Sequence, residues 1–565
     1  MKIRIQVFCL VTLLLSGFSS YAQKKQIEKF EKRIALAVKK AYPASVRIWG
    51  FDVKQNERTS AQFSGVVVSK DGYILTAAHT IYPGKNYKVF FPDGRECIAM
   101  ALGRIDKKDA PGIPDVGMMK IVDKGDWPFA EMGFSSSLVV NEPCISISYP
   151  ETLNQTLPTL RLGRIAEVKN TYGFIRSTCK MEPGDSGGPL FDYMGRVIGM
   201  HSAIDIQEDQ NFEIPVDLYR KYWTALNSQT DYNTLPEKVD ILNSDSLKDV
   251  ILRENSKVLL NPRLIIADRN NKYSYLITSK IGDKSQSIVA TLINLKEPIA
   301  GFKRILVTKN TMVGTDPLLC VGEKQFSLVL LKKDQDNDLV ILGTKENIKG
   351  GIALNQVPDS LTKPEMGKLL HTIKPDGTAM RGVLSSSLFD LPKITSQAFL
   401  GAMVVYRSNP IQLSLIKPDS PAEKAGLKVG DELLSVNGKA LTQSAEFASE
   451  LIKFWPGDTV NFVWMSDGKR KSASIKLDSR VIGISSHPAE KFAGGKSDRR
   501  DGFKQVFAHD IAITPSECGT PVFDREGKFV GINIARFSRT ATICISAQVV
   551  YNTILSLRNM QSKAL

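Results

Sequence analysis

Six consecutive residues form the clearest chemical pattern of the chain: Gly184-Asp185-Ser186-Gly187-Gly188-Pro189. A serine in such a glycine-rich turn can expose its hydroxyl while backbone N–H groups point toward one position. Acyl transfer needs both features, because a nucleophile attacks a carbonyl carbon and fixed donors stabilise the developing oxyanion. The motif therefore predicts Ser186 as a nucleophile and the N–H groups of Gly184 and Ser186 as an oxyanion hole.

Two upstream segments supply the other groups that such a nucleophile requires. His79 follows the apolar strand pattern that begins at Gly72, and Asp115 stands at the head of the apolar run Val116–Ile121. The order His, Asp, Ser is that of chymotrypsin-fold enzymes and differs from the orders of subtilisin and the α/β-hydrolases. We predict that His79 moves the proton and that Asp115 fixes the imidazole tautomer.

The sequence around these residues resembles the HtrA family of trypsin-fold serine proteases. The similar segments are GVVVSKDGYILTAAHTI, GPLFDYMGRVIGMHSAI, NFEIPVDL and IALAVKKAYPASVRIWG. The resemblance implies a helical segment over residues 23–44, a trypsin-like double β-barrel over 45–228, and protein or peptide substrates. Asp185 departs from the family, which usually has asparagine there. In digestive proteases that aspartate pairs with a newly cut N-terminus, so the need for processing stays open.

The resemblance also places Lys180 and Glu213 near the base of the S1 pocket. Glu213 would favour a basic P1 side chain if it pointed inward without a partner. If Lys180 neutralised it, the pocket would be polar or blocked. A solvated Glu213 on a loop is the third alternative.

Residues 398–480 resemble a PDZ domain, most specifically in the segment SLIKPDSPAEKAGLKVGDELLSVNGKAL. Such domains add an extended peptide as a strand and hold its terminal carboxylate with backbone N–H groups. The resemblance implies binding of C-terminal peptides. It assigns the carboxylate nest and the side-chain pocket to these residues: Phe399, Leu400, Gly401, Ala402, Phe447 and Leu451. The spacing of Phe447 and Leu451 is equally compatible with two core positions of a helix.

An internal repeat predicts that the remaining residues form a second, degenerate trypsin-like double barrel over 245–395 and 481–560, with the PDZ domain inserted. PSECGTPVFD, residues 515–524, parallels PGDSGGPLFD, residues 183–192. Tyr275–Thr278 echoes Tyr73–Thr76, and Asp338 echoes Asp115. Cys518 stands at the serine position, and no histidine follows the Tyr275 strand, so we expect this copy to be inactive. The predicted fold class is mainly β: two double barrels and an α+β PDZ domain.

Composition limits the other function classes. The 565 residues suit several domains, and the net charge of +15 comes from dispersed Lys and Arg without a nucleic-acid motif, so no nucleic-acid partner is predicted. No Cys/His cluster has metal-ligand spacing, so no metal or cofactor is expected. Residues 1–22 have the basic start, apolar run and small residues of a signal peptide. We therefore expect export from a bacterium to the periplasm or medium.

Two functions are compatible with these features. The first is a serine endopeptidase of unfolded or envelope proteins, with peptide binding at the PDZ domain for regulation or substrate capture. The second is a non-catalytic peptide-binding protein or chaperone on a protease fold. HtrA enzymes are typically trimers, so the resemblance also admits a homo-oligomer, although the added copy would alter that assembly.

Overall fold

The computed structural model describes residues 25–106, 114–246, 272–353, 366–479 and 487–561. The segment predicted as a signal peptide lies outside these ranges. The described chain is mainly β, with 43% strand and 15% helix, which confirms the predicted fold class. It divides into two compact units. One contains residues up to 389, 487–496 and those from 505 onward, and the other contains 390–486 and 497–504. No described helix combines the length and the hydropathy needed to cross a membrane.

The first barrel pair follows helix α1 (residues 25–41) and has alternating or wholly buried strands that enclose apolar cores. Its strands are β1 (Ser45–Asp52), β2 (Glu57–Arg58), β3 (Phe63–Val67), β4 (Tyr73–Ala77), β5 (Asn86–Phe90), β6 (Glu96–Ile105), β7 (Val116–Ile121), β8 (Pro143–Ser148), β9 (Thr159–Glu167), β10 (Ile175–Ser177), β11 (Pro189–Asp192), β12 (Val197–Ile204) and β13 (Asn211–Pro215). Helices α2 (Val216–Lys221) and α3 (Trp223–Leu226) and strand β14 (Asp231–Tyr232) follow.

These strands form two barrels. In the first, the order β6-β5-β1-β3-β4-β7 closes because β6 also pairs with β7. The second is a closed barrel with the order β10-β13-β12-β11-β8-β9. Closure leaves no strand edge unpaired within a barrel, and the loops at its rims become the places where chemistry can be built.

A second sheet pair begins after residue 272. Its first strands are β15 (Ser274–Ile281), β16 (Lys284–Ile299), β17 (Phe302–Lys309), β18 (Thr315–Val321), β19 (Lys324–Ser327), β20 (Val329–Asp334), β21 (Leu339–Thr344), β22 (Ile352–Ala353), β23 (Leu369–Ile373), β24 (Ala379–Val383) and β25 (Phe389–Leu391). The order β19-β18-β15-β16-β17-β21-β20 describes one sheet, to which β22 adds by pairing with β16.

The other compact unit has the PDZ elements. They are β26 (Ala398–Phe399), β27 (Ala402–Val404), β28 (Leu413–Ile416), helix α4 (Pro421–Lys424), β29 (Glu432–Val436), β30 (Lys439–Ala440), helix α5 (Ser444–Leu451), β31 (Thr459–Ser466), β32 (Lys469–Lys476) and β33 (Asp478–Ser479). Ser420 caps α4 by accepting the N–H of Glu423, and Pro421 takes the first helical position, where no N–H is needed. Leu433, Phe447, Phe462 and Trp464 are among the buried core residues.

The chain then completes the second sheet pair with β34 (Phe503–His509), β35 (Pro521–Asp524), β36 (Phe529–Arg536), β37 (Thr542–Ser546) and helix α6 (Ala547–Gln561). The order β24-β23-β35-β36-β37-β34 joins residues before and after the PDZ unit in one sheet. The PDZ segment is therefore an insertion within this sheet pair. The domain boundaries given above remain predictions.

Strand pairing matches the two copies of the repeat in a different way from the sequence comparison. In the first barrel pair β4 pairs with β7, which begins after Asp115, and in the second sheet pair β17 pairs with β21, which begins after Asp338. The counterpart of Tyr73–Thr76 is therefore in β17, not in the Tyr275 strand. The Tyr275 comparison was wrong because both strands have similar apolar patterns, and only strand pairing distinguishes them.

In the second sheet pair, Asp338 also forms a buried ion pair with Lys309. Nζ of Lys309 lies 2.6 Å from Oδ2 of Asp338, and both side chains are almost fully buried. The same ammonium donates to the carbonyl oxygen of Ile534 at 3.0 Å. Such a pair offsets its desolvation only when the remaining donors and acceptors are satisfied.

Lys309→Ala should therefore destabilise the second sheet pair by about 3–5 kcal/mol, because Asp338 would stay buried without its cation. Hydrogen exchange of the β17 and β21 amides under native conditions measures this free energy. Lys70→Ala removes the exposed Lys70–Asp126 pair and should change stability by no more than about 1 kcal/mol. Equal effects of the two substitutions would contradict the conclusion that the buried Lys309–Asp338 pair stabilises the second sheet pair.

Candidate active site

Strand pairing brings His79 and Asp115 together. His79 lies in the single 3-10 turn Ala78–Thr80 that follows β4, and Asp115 immediately precedes β7. The backbone N–H of His79 donates to Oδ1 of Asp115 at 2.9 Å, and Nδ1 lies 2.7 Å from Oδ2. The hydroxyl of Ser202 donates to the same Oδ2 at 2.7 Å. With Nδ1 bonded to the carboxylate, Nε2 is the ring nitrogen that can exchange protons with a nucleophile.

Ser186 and His79 line the same cavity, which has a volume of about 560 Å³. The turn that precedes β11 presents Ser186, and the N–H of Ser64 on β3 donates to its carbonyl oxygen at 2.9 Å. Gly187 has φ +73°, and a Cβ there would lie 2.0 Å from Oγ1 of Thr76. Only glycine fits this contact between the turn and the first barrel, so the packing of the two barrels fixes where Ser186 lies.

The backbone of the turn leaves two N–H groups suited to an oxyanion. The N–H of Asp185 donates to Glu182 and that of Gly187 donates to His201, both to carbonyl oxygens. Among the hydrogen bonds of the described residues, Gly184 and Ser186 donate to no such backbone acceptor. The carbonyl of Gly184 instead accepts from the Ser64 hydroxyl at 2.8 Å. This arrangement is compatible with the predicted oxyanion hole.

Asp185 is paired with a residue from within the chain. Nη1 of Arg161 lies 2.8 Å from Oδ2 of Asp185, and Nη2 lies 3.1 Å from Oδ1. Both side chains are buried, with 3% and 1% exposed. Ser148 donates to Oδ1, and the N–H of Glu182 donates to Oδ2. The cation that this aspartate needs is thus present without a new N-terminus.

The two S1 candidates adjoin residues that line the cavity but are not among those residues. Glu213 is fully buried, accepts a hydrogen bond from the Ser177 hydroxyl, and lies 3.7 Å from Nδ1 of His201. Burial raises the pKa of the Glu213 carboxyl well above its usual value. Lys180 pairs with Glu208 rather than with Glu213. Neither residue is among those described as lining the cavity, which include Met181, Ala203 and Ile204.

Several cavity and support residues carry no motif that sequence reasoning could use. Ser202 and Arg161 reach the site from β12 and β9, and His487 and Pro488 line the cavity although they follow the PDZ unit in the chain. An arginine at an inward-facing position of an apolar strand is a signal for a buried partner. The strand alone does not say which carboxylate that partner is.

In the second sheet pair, the same hydrogen-bonding frame holds different side chains. The N–H of Thr311 donates to Oδ1 of Asp338 at 2.8 Å and its hydroxyl to Oδ2 at 2.9 Å, as His79 does with Asp115. The N–H of Gly519 donates to the Asn533 carbonyl, as that of Gly187 does to His201. Thr311 therefore occupies the histidine position, and Cys518 at the serine position is fully buried.

The PDZ unit has an open strand edge. β27 pairs only with β28 among the described strands, so its other edge is available for an added peptide strand. Gly401 has φ +83°, and a Cβ there would meet Cβ of Ser420 at 2.1 Å. Leu400 and Phe447 are buried in the core of this unit, and Leu451 packs against that core while partly exposed. Phe399 and Ala402 are half-buried on either side of Leu400 and Gly401.

Comparisons with known proteins agree with this architecture. Residues 63–200 match a trypsin-like peptidase domain, and residues 398–477 match a PDZ domain. The chain is 25% identical over 425 residues to a probable periplasmic DegP-like serine endoprotease of Hahella chejuensis, covering 74% of this chain and 80% of that protein. It is 32% identical over 199 residues to serine protease HTRA1 of Xenopus laevis, covering 34% and 42% respectively.

A solved serine endoprotease from Yersinia pestis aligns with 79% of this chain and 98% of its own, at 16% identity and a TM-score of 0.30. A superposition this weak carries no argument of its own. The two domain matches and the named relatives confirm the resemblance to HtrA-type serine endopeptidases that the sequence predicted.

His201, a buried residue that lines the cavity, should make the stability of the protein depend on pH. Burial and the charge of Arg161 lower the pKa of His201 from 6.5 to about 3. His201 therefore binds a proton below about pH 6.5 in the unfolded chain but only near pH 3 in the folded chain. The free energy of unfolding consequently decreases as the pH drops below 6.5. Lowering the pH from 7.5 to 5 should cost wild type about 2 kcal/mol more than His201→Gln. Urea unfolding at both pH values tests this, and equal pH dependence would contradict it.

Proposed function

Because this chain carries the trypsin-like peptidase and PDZ domains of HtrA-type serine endoproteases, we propose that it is an exported serine endopeptidase of unfolded or envelope proteins. Export rests on the signal-peptide pattern and on relatives that are named periplasmic. One observation carries the proposal. His79 is hydrogen-bonded to Asp115 through Nδ1, and Ser186 lines the same cavity as that histidine.

The chemistry follows from these positions. Nε2 of His79 accepts the Ser186 proton as Oγ attacks the scissile carbonyl carbon, and Asp115 stabilises the imidazolium that forms. The N–H groups of Gly184 and Ser186 bind the oxyanion. His79 then returns the proton to the leaving amine, which departs and leaves an acyl-enzyme. A water molecule, deprotonated by His79, hydrolyses the ester and restores Ser186.

The second sheet pair is proposed to be a pseudoprotease. Thr311 has no basic nitrogen to accept a proton, and Cys518 is fully buried, so a substrate cannot reach its thiol. His509 lies on β34, where Nε2 is 2.6 Å from Oδ1 of Asn533, and burial lowers its pKa to about 4. Its hydrogen bond and its burial support a structural role.

The PDZ unit is proposed to bind C-terminal peptides along the open edge of β27, with the carboxylate held near Gly401. Residues 399–401 immediately precede β27, whose first residue is Ala402. Regulation or substrate capture by such peptides is the role that the resemblance to HtrA enzymes suggests. A homo-oligomer is part of the same proposal.

The cleavage proposal predicts a large loss of activity from one substitution. Ser186→Ala should abolish both casein cleavage and fluorophosphonate labelling, because the attacking oxygen is removed; the expected loss is at least about 10⁴-fold. The matched control is Cys518→Ala, which alters the equivalent position of the second sheet pair and should leave turnover within about twofold. Equal activity of wild type and Ser186→Ala would instead support the alternative, a peptide-binding protein on a protease fold.

The cavity also predicts the P1 preference. Met181, Ala203 and Ile204 contribute apolar walls, and Glu151 and Glu182 also line the cavity, whereas the Glu213 carboxyl is buried and accepts the Ser177 hydroxyl. Peptides with aliphatic P1 residues should be cleaved at least about tenfold faster than those with Lys or Arg, because the apolar walls would desolvate a charged side chain and Glu182, the buried carboxyl of the lining, already accepts the Thr152 hydroxyl. A peptide-library cleavage profile measures this ratio. A basic preference that disappears in Glu213→Gln would contradict it.

A further inference from the structure

Two neighbours of Arg161 are bonded to the second sheet pair. The N–H of Leu160 donates to the carbonyl of Ser385 at 3.0 Å, and the N–H of Leu162 donates to Oδ2 of Asp510 at 2.9 Å. Asp510 is half-buried, and its other oxygen accepts the N–H of Val383 at 2.7 Å. The strand that supplies the cation for Asp185 is therefore fixed on both sides of that cation.

A hairpin of the second sheet pair reaches the site from another direction. Arg539, in the turn between β36 and β37, is fully buried. Its Nη1 donates to the carbonyl of Asp205 and its Nη2 to that of Gln207, each at 2.9 Å. Both carbonyls belong to the loop that joins β12 to β13. That loop directly follows Ile204, which lines the cavity.

The same arginine meets the residues that precede the serine turn. Its Nη2 lies 3.4 Å from Oδ1 of Asn211, and this oxygen accepts the N–H of Met181 at 3.1 Å. Ser538, next to Arg539, lies close enough to the buried Glu182 carboxyl to lower its pKa, which burial and the charge of Asp185 raise. The hairpin thus contacts the segment before Ser186, which lines the cavity, and the loop that follows the cavity-lining end of β12.

These contacts satisfy groups that irregular backbone leaves open. The carbonyls of Asp205 and Gln207 lie in a loop outside the sheets, and one guanidinium bonds both of them at once. A catalytic turn is effective only if its donors are fixed before the reaction begins. An unsupported loop would let the cavity walls and the turn shift together.

We propose that the second sheet pair is a built-in positioning domain for the serine turn, and that Arg539 is its principal positioning residue. Arg539 touches no reacting atom and acts through the loop carbonyls and Asn211. The proposal rests on the proposed endopeptidase function for its kinetic consequences. Its structural content, that Arg539 orders residues 180–186 and 203–211, is independent of that function.

The test compares Arg539→Ala and Arg539→Lys with a matched control, Arg525→Ala. Arg525 also joins the second sheet pair to the first half of the chain, through Glu31 of helix α1 at 2.7 Å, but no residue of that helix lines the cavity. Each full-length variant is assayed with a fluorogenic peptide and with a peptidyl boronate, whose binding requires the oxyanion hole. Amide hydrogen exchange is measured on the same preparations.

Arg539→Ala should lower kcat by about 100-fold with KM within about threefold of wild type, and it should weaken boronate binding by a similar factor. Arg539→Lys keeps the charge but not the two-pronged geometry, so it should recover only part of the loss. Arg525→Ala should stay within about twofold of wild type. Exchange at residues 180–186 and 203–211 should rise about tenfold in Arg539→Ala alone.

Unchanged exchange in those two segments of a folded Arg539→Ala would overturn the proposal. So would equal losses in Arg539→Ala and Arg525→Ala, because they would show general weakening of the contact between the two halves. If wild type itself neither cleaves the peptide nor labels with a fluorophosphonate, the proposed function fails. The exchange comparison still decides the positioning role in that case.

Discussion

The buried ion pair between Arg161 and Asp185 is the interaction on which the site depends. Two charges removed from water are costly, and they are tolerated here because each carboxylate oxygen receives further hydrogen bonds, from Ser148 and from the N–H of Glu182. Asp185 lies between the two N–H groups proposed for the oxyanion hole. Holding its carboxylate therefore holds the backbone on both sides of it, and a neutral side chain there would not require the cation.

This dependence explains why the second sheet pair contacts the strand of Arg161. A buried cation is useful for positioning only if its own backbone is fixed. Ser385 and Asp510 bond the residues that flank it. The result is a chain of hydrogen bonds from the second sheet pair through β9 to the serine turn, made of groups that are buried or half-buried.

The two halves of the chain show which parts of the fold are set by packing and which by chemistry. Gly187 and Gly519 both have positive φ, and a Cβ at either would lie 2.0 Å from an oxygen of the neighbouring sheet. Asp115 and Asp338 accept hydrogen bonds from equivalent backbone N–H groups, those of His79 and Thr311. The side chains proposed to react are the ones that differ: His79 against Thr311, and Ser186 against Cys518. Both halves share the frame because backbone hydrogen bonds, not the side chains proposed to react, hold it.

The sequence by itself determined the local features: the serine turn, the histidine and aspartate strands, the PDZ segment and the existence of a repeat. Each of these features consists of contiguous residues, so turn glycines and apolar periodicity are enough to identify it. The tertiary structure alone decided that Arg161 pairs with Asp185, that Lys180 pairs with Glu208, that β17 rather than the Tyr275 strand matches β4, and that Arg539 bonds the loop between β12 and β13. These are contacts between residues far apart in the chain, and neither spacing nor composition says which buried charge or which strand edge will meet another.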